Sequence, residues 1–165
     1  MADYGFDGMI KVAFVPTIAV VTAPTVAELT AGVALDGRLT PDGLDTAAAT
    51  ASIDNSKLNS TANSAIIGRD SYTLSVKYVR GSDVAATAVQ AALVRGASGF
   101  LAVRRDKLAS VAWTAADKVE LYPVMCQRPN PDKPAPNALQ AVTVGMEMTD
   151  GTQVHGVDNP VTVAA

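Results

Sequence analysis

Residues 71–106, "SYTLSVKYVRGSDVAATAVQAALVRGASGFLAVRRD", decide the fold. The first ten alternate. Tyr72, Leu74, Val76 and Tyr78 share one face, and Thr73, Ser75 and Lys77 the other, the period of a half-buried strand. At Ser82 the pattern becomes helical. Ser82 is the expected N-cap, Asp83 suits the positive helix start, Arg95 the negative end, and Gly96 the stop. This predicts one helix over about 83–95. Asp83, Thr87 and Gln90 form a narrow polar stripe on it, and the rest is Ala, Val and Leu. Such a helix is expected to be covered on most sides, its alanines allowing close backbone approach. Phe100–Arg105 then returns to strand.

Working outward, nearly everything else reads as β. Ile10–Val15 and Thr17–Thr22 are strand material with Pro16 between them. Thr25 with Glu28 three residues on, stopped by Gly32, reads as one capped helical turn. Val33–Leu39 is a possible strand, Thr40-Pro41-Asp42-Gly43 a turn, and Ala47–Ile53 a further β-compatible run. Val119–Gln127 and Gln140–Met148 alternate, and Pro160–Val163 suits an edge strand.

Two segments break the pattern. "DNSKLNSTANSAIIG" (54–68) is rich in Ser and Asn without periodicity and reads as a long mobile loop. "RPNPDKPAPN" (128–137) holds four prolines and reads as a stiff loop or arm. The chain from about 149 reads as a flexible tail with Asp-Gly and Asn-Pro turns. No internal repeat or domain boundary is visible, so one domain over 1–165 is expected: mainly β, two packed antiparallel sheets forming a sandwich or barrel, with one flanking helix.

Composition narrows the function classes. The chain has 165 residues, a net charge of −3 and 5% aromatics, so its core is built from Val, Ala, Leu and Ile. An acidic chain does not suit gripping nucleic acid through its phosphates. Cys126 is the only cysteine, which rules out an intramolecular disulfide and favours a reducing compartment. The start, MADYGFDGMIK, lacks a basic, apolar leader. The apolar run Ile10–Val21 is too short to span a bilayer. A soluble intracellular product without membrane insertion is expected.

Catalytic constellations are missing. His155 is the lone histidine. It lies among turn residues and reads as a surface side chain, not as a zinc ligand or triad base. Cys126 sits in a strand and reads as a buried, inert thiol. The Asp-Gly pairs at 7, 36, 42 and 150 lack the alternating oxygen ligands of a calcium loop and read as turns. Asn59-Ser60-Thr61 matches a glycosylation acceptor, read as chance without a secretory signal. Arg104-Arg105 reads as a solvated hairpin end or an intersubunit ion pair. No catalytic residue, metal or cofactor is expected.

Five stretches carry a resemblance: "FVPTIAVVTAPTVAELTAGVAL" (14–35), "TPDGL" (40–44), "SYTLSVKYVR" (71–80), "GFLAVRR" (99–105) and "KVELYPVMCQRPNPDKP" (118–134). In order and spacing they resemble the major tail (tail tube) proteins of long-tailed phages infecting actinobacteria, over roughly 10–148. The resemblance implies a structural virion protein, made in the host cytoplasm. It implies six copies closing into a ring, and rings stacking into a hollow tube around the tape-measure protein, with tail-terminator and tail-tip partners. DNA then passes through the lumen without specific binding. A mobile loop and arms bridge neighbouring subunits. Candidate interface positions are Asn55, Lys57, Asn59 and Asn63 in the loop, Ala88 and Ala92 on the helix, Arg104 and Arg105, and Pro131 and Lys133 in the proline-rich arm. The alternatives are another assembling phage protein (capsid decoration, tail terminator or contractile-injection tube), a carbohydrate-binding β-sandwich, and a small hydrolase dependent on His155.

Overall fold

The computed structural model describes residues 8–165; Asp7 and the amino-terminal reading of 1–7 lie outside them. The elements are β1 (Lys11–Val15), α1 (Val26–Ala31), β2 (Val33–Ala34), β3 (Leu39–Asp54), β4 (Ala65–Val79), α2 (Val84–Ala92), β5 (Ser98–Arg104), β6 (Lys118–Cys126), β7 (Asn130–Pro131), β8 (Ala141–Met148) and β9 (Val161–Thr162). All strand pairs are antiparallel. The main path runs β2-β1-β5-β6-β8-β4-β3, with β7 on β8 and β9 on β6.

One hydrogen-bonded path therefore replaces two separate sheets, but it folds over as a sandwich. The halves β2-β1-β5-β6 and β8-β4-β3 join at a corner of three pairs, Val124–Cys126 against Met146–Met148. Inward side chains of both halves share one core: Val12, Phe14, Leu101 and Val103 from the first, Leu74, Val76, Tyr78 and Val144 from the second. α2 closes this core with Val89 and Leu93. The opposite face of β1-β5-β6 is also covered, giving a second core of Ala13, Val15, Leu29, Trp113, Leu121, Val161 and Val163.

Local chemistry sets several elements. The capping box at α1 forms as its spacing predicts: Glu28 N–H donates to Thr25 Oγ1 at 3.3 Å, and Thr25 N–H donates to Glu28 Oε2 at 2.8 Å. The Ala19 N–H also donates to this carboxylate, at 2.7 Å. That bond first, then those from Thr25, hold the Glu28 carboxyl below its ordinary range. It also explains why Thr17–Thr22 is no strand: the segment is tied as turns onto the α1 cap. Only Val33–Ala34 of the expected strand 33–39 pairs with β1, before the chain turns at Asp36-Gly37.

The turn expected at 40–43 is a bulge inside β3. Leu39 faces Tyr78 and Leu44 faces Val76, so β3 carries extra residues there. A Cβ on Gly43 would lie 2.4 Å from the Lys77 carbonyl oxygen, and this close approach requires the glycine.

Helix α2 is shorter than the expected 83–95. Its N-cap is Asp83, whose side chain makes no capping bond and ion-pairs with Arg38. Its C-cap is Leu93, buried in the core, and the chain turns into β5 at Gly96 with φ +84°. Nor is the helix covered on most sides: Ala86, Val89 and Leu93 are buried, while Ala85, Ala88 and Ala91 are exposed.

The end of the chain is a packed element. Val161 and Val163 are buried, β9 pairs with Lys118 and Val119, and His155 bridges Leu121 through backbone bonds of 2.8 and 2.9 Å. The edge strand expected at Pro160–Val163 forms here, by non-local pairing with β6. Cys126 is buried in β6, and burial pushes its thiol up to about 11. At pH 8 it is expected to react with a bulky disulfide reagent only after unfolding; stoichiometric modification of the native protein within minutes would contradict this.

Candidate assembly interface

The expected mobile loop 54–68 is shorter than its composition predicts, and strand enters it from both sides. β3 and β4 pair from Leu44–Val76 out to Asp54–Ala65, past a second irregularity between Thr50 and Ser52, and only 55–64 form the loop. Composition hid this because both faces of the ribbon lie in solvent: every residue from 47 to 67 is exposed. With neither face against a core, nothing demanded alternation. The hairpin is thus an arm standing off the body.

The arm tip gathers four candidates. Asn55, Lys57, Asn59 and Asn63 are all exposed there. The tip is ordered by its own bonds: Ser64 Oγ donates to Asn55 Oδ1 at 2.6 Å, and Ser56 N–H donates to Asp54 Oδ1 at 2.8 Å. Those Ser56 bonds hold the Asp54 carboxyl below its ordinary range. Apolar side chains are exposed along the same ribbon: Ile53, Leu58, Ile66 and Ile67, with Leu58 108% and Ile67 82% accessible. β3 is also the end strand of the sheet path, so its outer edge has no strand beside it among the described residues. Its run Thr46–Ser52, "TAAATAS", carries neither charge nor proline, the usual devices that blunt an edge.

The other candidates do not converge on the arm. Ala88 is exposed on α2 beside Val84, which is 88% accessible, whereas Ala92 is half-buried against the core. Pro131 lies in β7, paired with Val142, and Lys133 is exposed beyond it. The segment is braced to the body, since Lys77 Nζ meets Asp132 Oδ2 at 2.8 Å.

Arg104 is a correction. It is fully buried, neither a solvated hairpin end nor an intersubunit partner. It donates to Asp117 and to three carbonyls of the 105–117 connection, which folds over that face of β5. Arg105 points the opposite way and reaches Glu120 and Thr46. Sequence reasoning missed Thr46, Glu120 and Tyr122. An isolated glutamate inside an otherwise apolar alternating strand (KVELYPVMC) was the available signal.

A family model described as "Phage tail tube protein" matches residues 1–157. The chain belongs to the phage tail tube protein family. This is a structural family, so the tail tube chain is a component of the virion tail and not an enzyme. No curated protein matches it. Among solved structures it is similar to a chain described as "Cryo-EM structure of the anti-feeding prophage (AFP) baseplate, 6-fold symmetrised". The TM-score is 0.58 at 8% identity, covering 91% of this chain and 95% of that one. At that identity the likeness is one of fold. Among the described residues no group of His, Cys, Asp or Glu is placed to hold a metal ion, and no helix is long and apolar enough to cross a membrane.

Proposed function

We propose that this chain is the repeating subunit of a phage tail tube, closing as six copies into rings that stack into a hollow conduit for DNA. The observation that carries this reading is the β3–β4 arm. An isolated two-stranded ribbon is marginal in water. This one also exposes four large aliphatic side chains and an unblunted edge. A further copy supplies strand partners to that edge, which closed rings require. The count of six rests on the sixfold symmetry named for the structural neighbour and on the resemblance to tail tubes of long-tailed actinobacterial phages. The same reading implies tape-measure, terminator and tail-tip partners.

Coverage supports one face as the lumen wall of this reading. β1-β5-β6 is packed on both faces. On β3-β4-β8 the face opposite the core carries Asp45, Thr73, Ser75, Lys77, Thr143 and Glu147, which belong to neither core. Small polar residues, and a lysine already paired with Asp132, make a wall to which DNA does not adhere.

Negative-stain electron microscopy of the concentrated protein tests the proposal. Hollow tubes or sixfold rings are expected. Dispersed monomers, both alone and after co-expression with the neighbouring tail genes, would overturn it. The baseplate origin of the structural neighbour favours one second reading, a single ring at the end of a tail, which would give rings that never stack.

The exposed face of α2 supplies a separate test. Ala88→Glu is expected to block tubes while the melting temperature stays within about 2 °C, because surface substitutions cost little. Ala92→Glu should lower the melting temperature as well, since it forces a charge toward the core. Tubes formed normally by Ala88→Glu would remove α2 from the interface.

A further inference from the structure

We propose that Arg105, Glu120 and Tyr122 form a polar brace with Thr46 that sets the angle at which the arm leaves the body. β3 and β6 are not neighbours in the sheet; β8 and β4 lie between them. Yet Arg105, just past the end of β5, joins a side chain of each. Arg105 Nε donates to Glu120 Oε1 at 2.7 Å, and Nη2 donates to Thr46 Oγ1 at 3.0 Å and to Glu120 Oε2 at 3.4 Å. Tyr122 O–H donates to Glu120 Oε2 at 3.0 Å. Tyr122 also packs on Tyr72 of β4, with ring centroids 6.0 Å apart and tilted by 59°.

Position makes these contacts more than a surface ion pair. Glu120 is 5% exposed and points to the same side as Tyr122 and Val124, at the end of the shared core. Thr46 and Tyr72 sit where the ribbon leaves that core; from residue 47 outward no side chain of the arm is covered until 68. Beyond the brace the arm has only its own pairing to guide it. Burial, then the adjacent Glu120 carboxylate, push the Tyr122 phenol well above its ordinary range, so it remains a donor at any physiological pH. The four groups form a satisfied network, and such networks resist rotation of the elements they join. Arg105, Glu120, Tyr122 and Thr46 are positioning residues: they hold the arm and need not touch the neighbouring subunit.

Spin labels at Leu58→Cys on the tip and Val84→Cys on α2 report the arm angle by pulsed electron resonance in the dilute subunit. A narrow distance distribution is expected for the parent. Thr46→Val, Glu120→Gln and Arg105→Met should each widen it about twofold or more, with Thr46→Val leaving the melting temperature nearly unchanged. An unchanged width in all three, even with lower melting temperatures, would reduce the network to a stabilising role and overturn the proposal. So would a parent distribution as broad as the variants'. The consequence for assembly rests on the tube reading: variants with a wider distribution should give fewer tubes. Wider distributions with undiminished tubes would sink that consequence. A measurable brace in a parent that never assembles would sink the tube reading and leave the brace standing.

Discussion

Arg104→Met is expected to lower the melting temperature by about 10 °C, from a loss of about 3–5 kcal/mol. Arg104 is 0% exposed. Its Nη1 donates to Asp117 Oδ2 at 2.8 Å and to the Ala112 carbonyl at 3.0 Å. Its Nη2 donates to the Leu108 and Val111 carbonyls, both at 2.9 Å. The guanidinium also lies 5.2 Å from the Trp113 ring centroid. Removing it strands three carbonyls and takes one partner from a buried carboxylate that keeps Lys107 and Thr114, and each lost partner leaves a desolvation penalty behind. Arg104→Lys should recover little, because one ammonium cannot span four acceptors set around a planar fork. Thermal melting by circular dichroism measures both; a drop below about 3 °C for Arg104→Met would contradict the account.

The same cluster has a pH signature. Burial pushes the Asp117 carboxyl up, but hydrogen bonds from Lys107, from Thr114 twice and from Arg104 together outweigh it and hold the group well below its usual range. A depressed carboxyl stabilises the fold above its unfolded pKa, about 3.9, and that stability drains away as pH falls toward the folded value. Arg104 supplies the last of these contributions, so the gap between parent and Arg104→Met should be full above about pH 4 and narrow only in part below it.

Removing the arm is expected to abolish assembly without unfolding the subunit. Ala48 pairs with Tyr72, so replacing residues 49–71 by Asn-Gly closes a two-residue hairpin at that pair. Every residue removed is exposed except Gly68, which is half-exposed, and none belongs to either core. The melting temperature should change by no more than about 3 °C, and the trimmed subunit should run as a monomer at concentrations where the parent forms tubes. Substantial unfolding would show that the arm belongs to the fold. Tubes of normal yield would show that some other surface joins the subunits.

Strand β4, the body of α2, β5, β6, β8 and the α1 capping box were legible because each is written in residues close along the chain: alternation, 3.6-residue spacing, or a cap three positions from its partner. The outer arm was not legible, because a ribbon wet on both faces leaves no apolar period, and its Ser- and Asn-rich tip has a loop's composition. Arg104 and Arg105 are adjacent and look equivalent in the sequence. The strand's alternation sends them to opposite faces, and only the packed 105–117 connection decides that one is buried and the other spans to β3. The edge strand at Pro160–Val163 was legible, but its packing was not, because its partner lies some forty residues earlier in β6. The sequence by itself determined the mainly β class and the body of the longer helix, since these follow from local periodicity and residue type. The tertiary structure alone decided which edge stays open, where the arm departs and which charges are buried, because those depend on contacts between residues far apart in the chain.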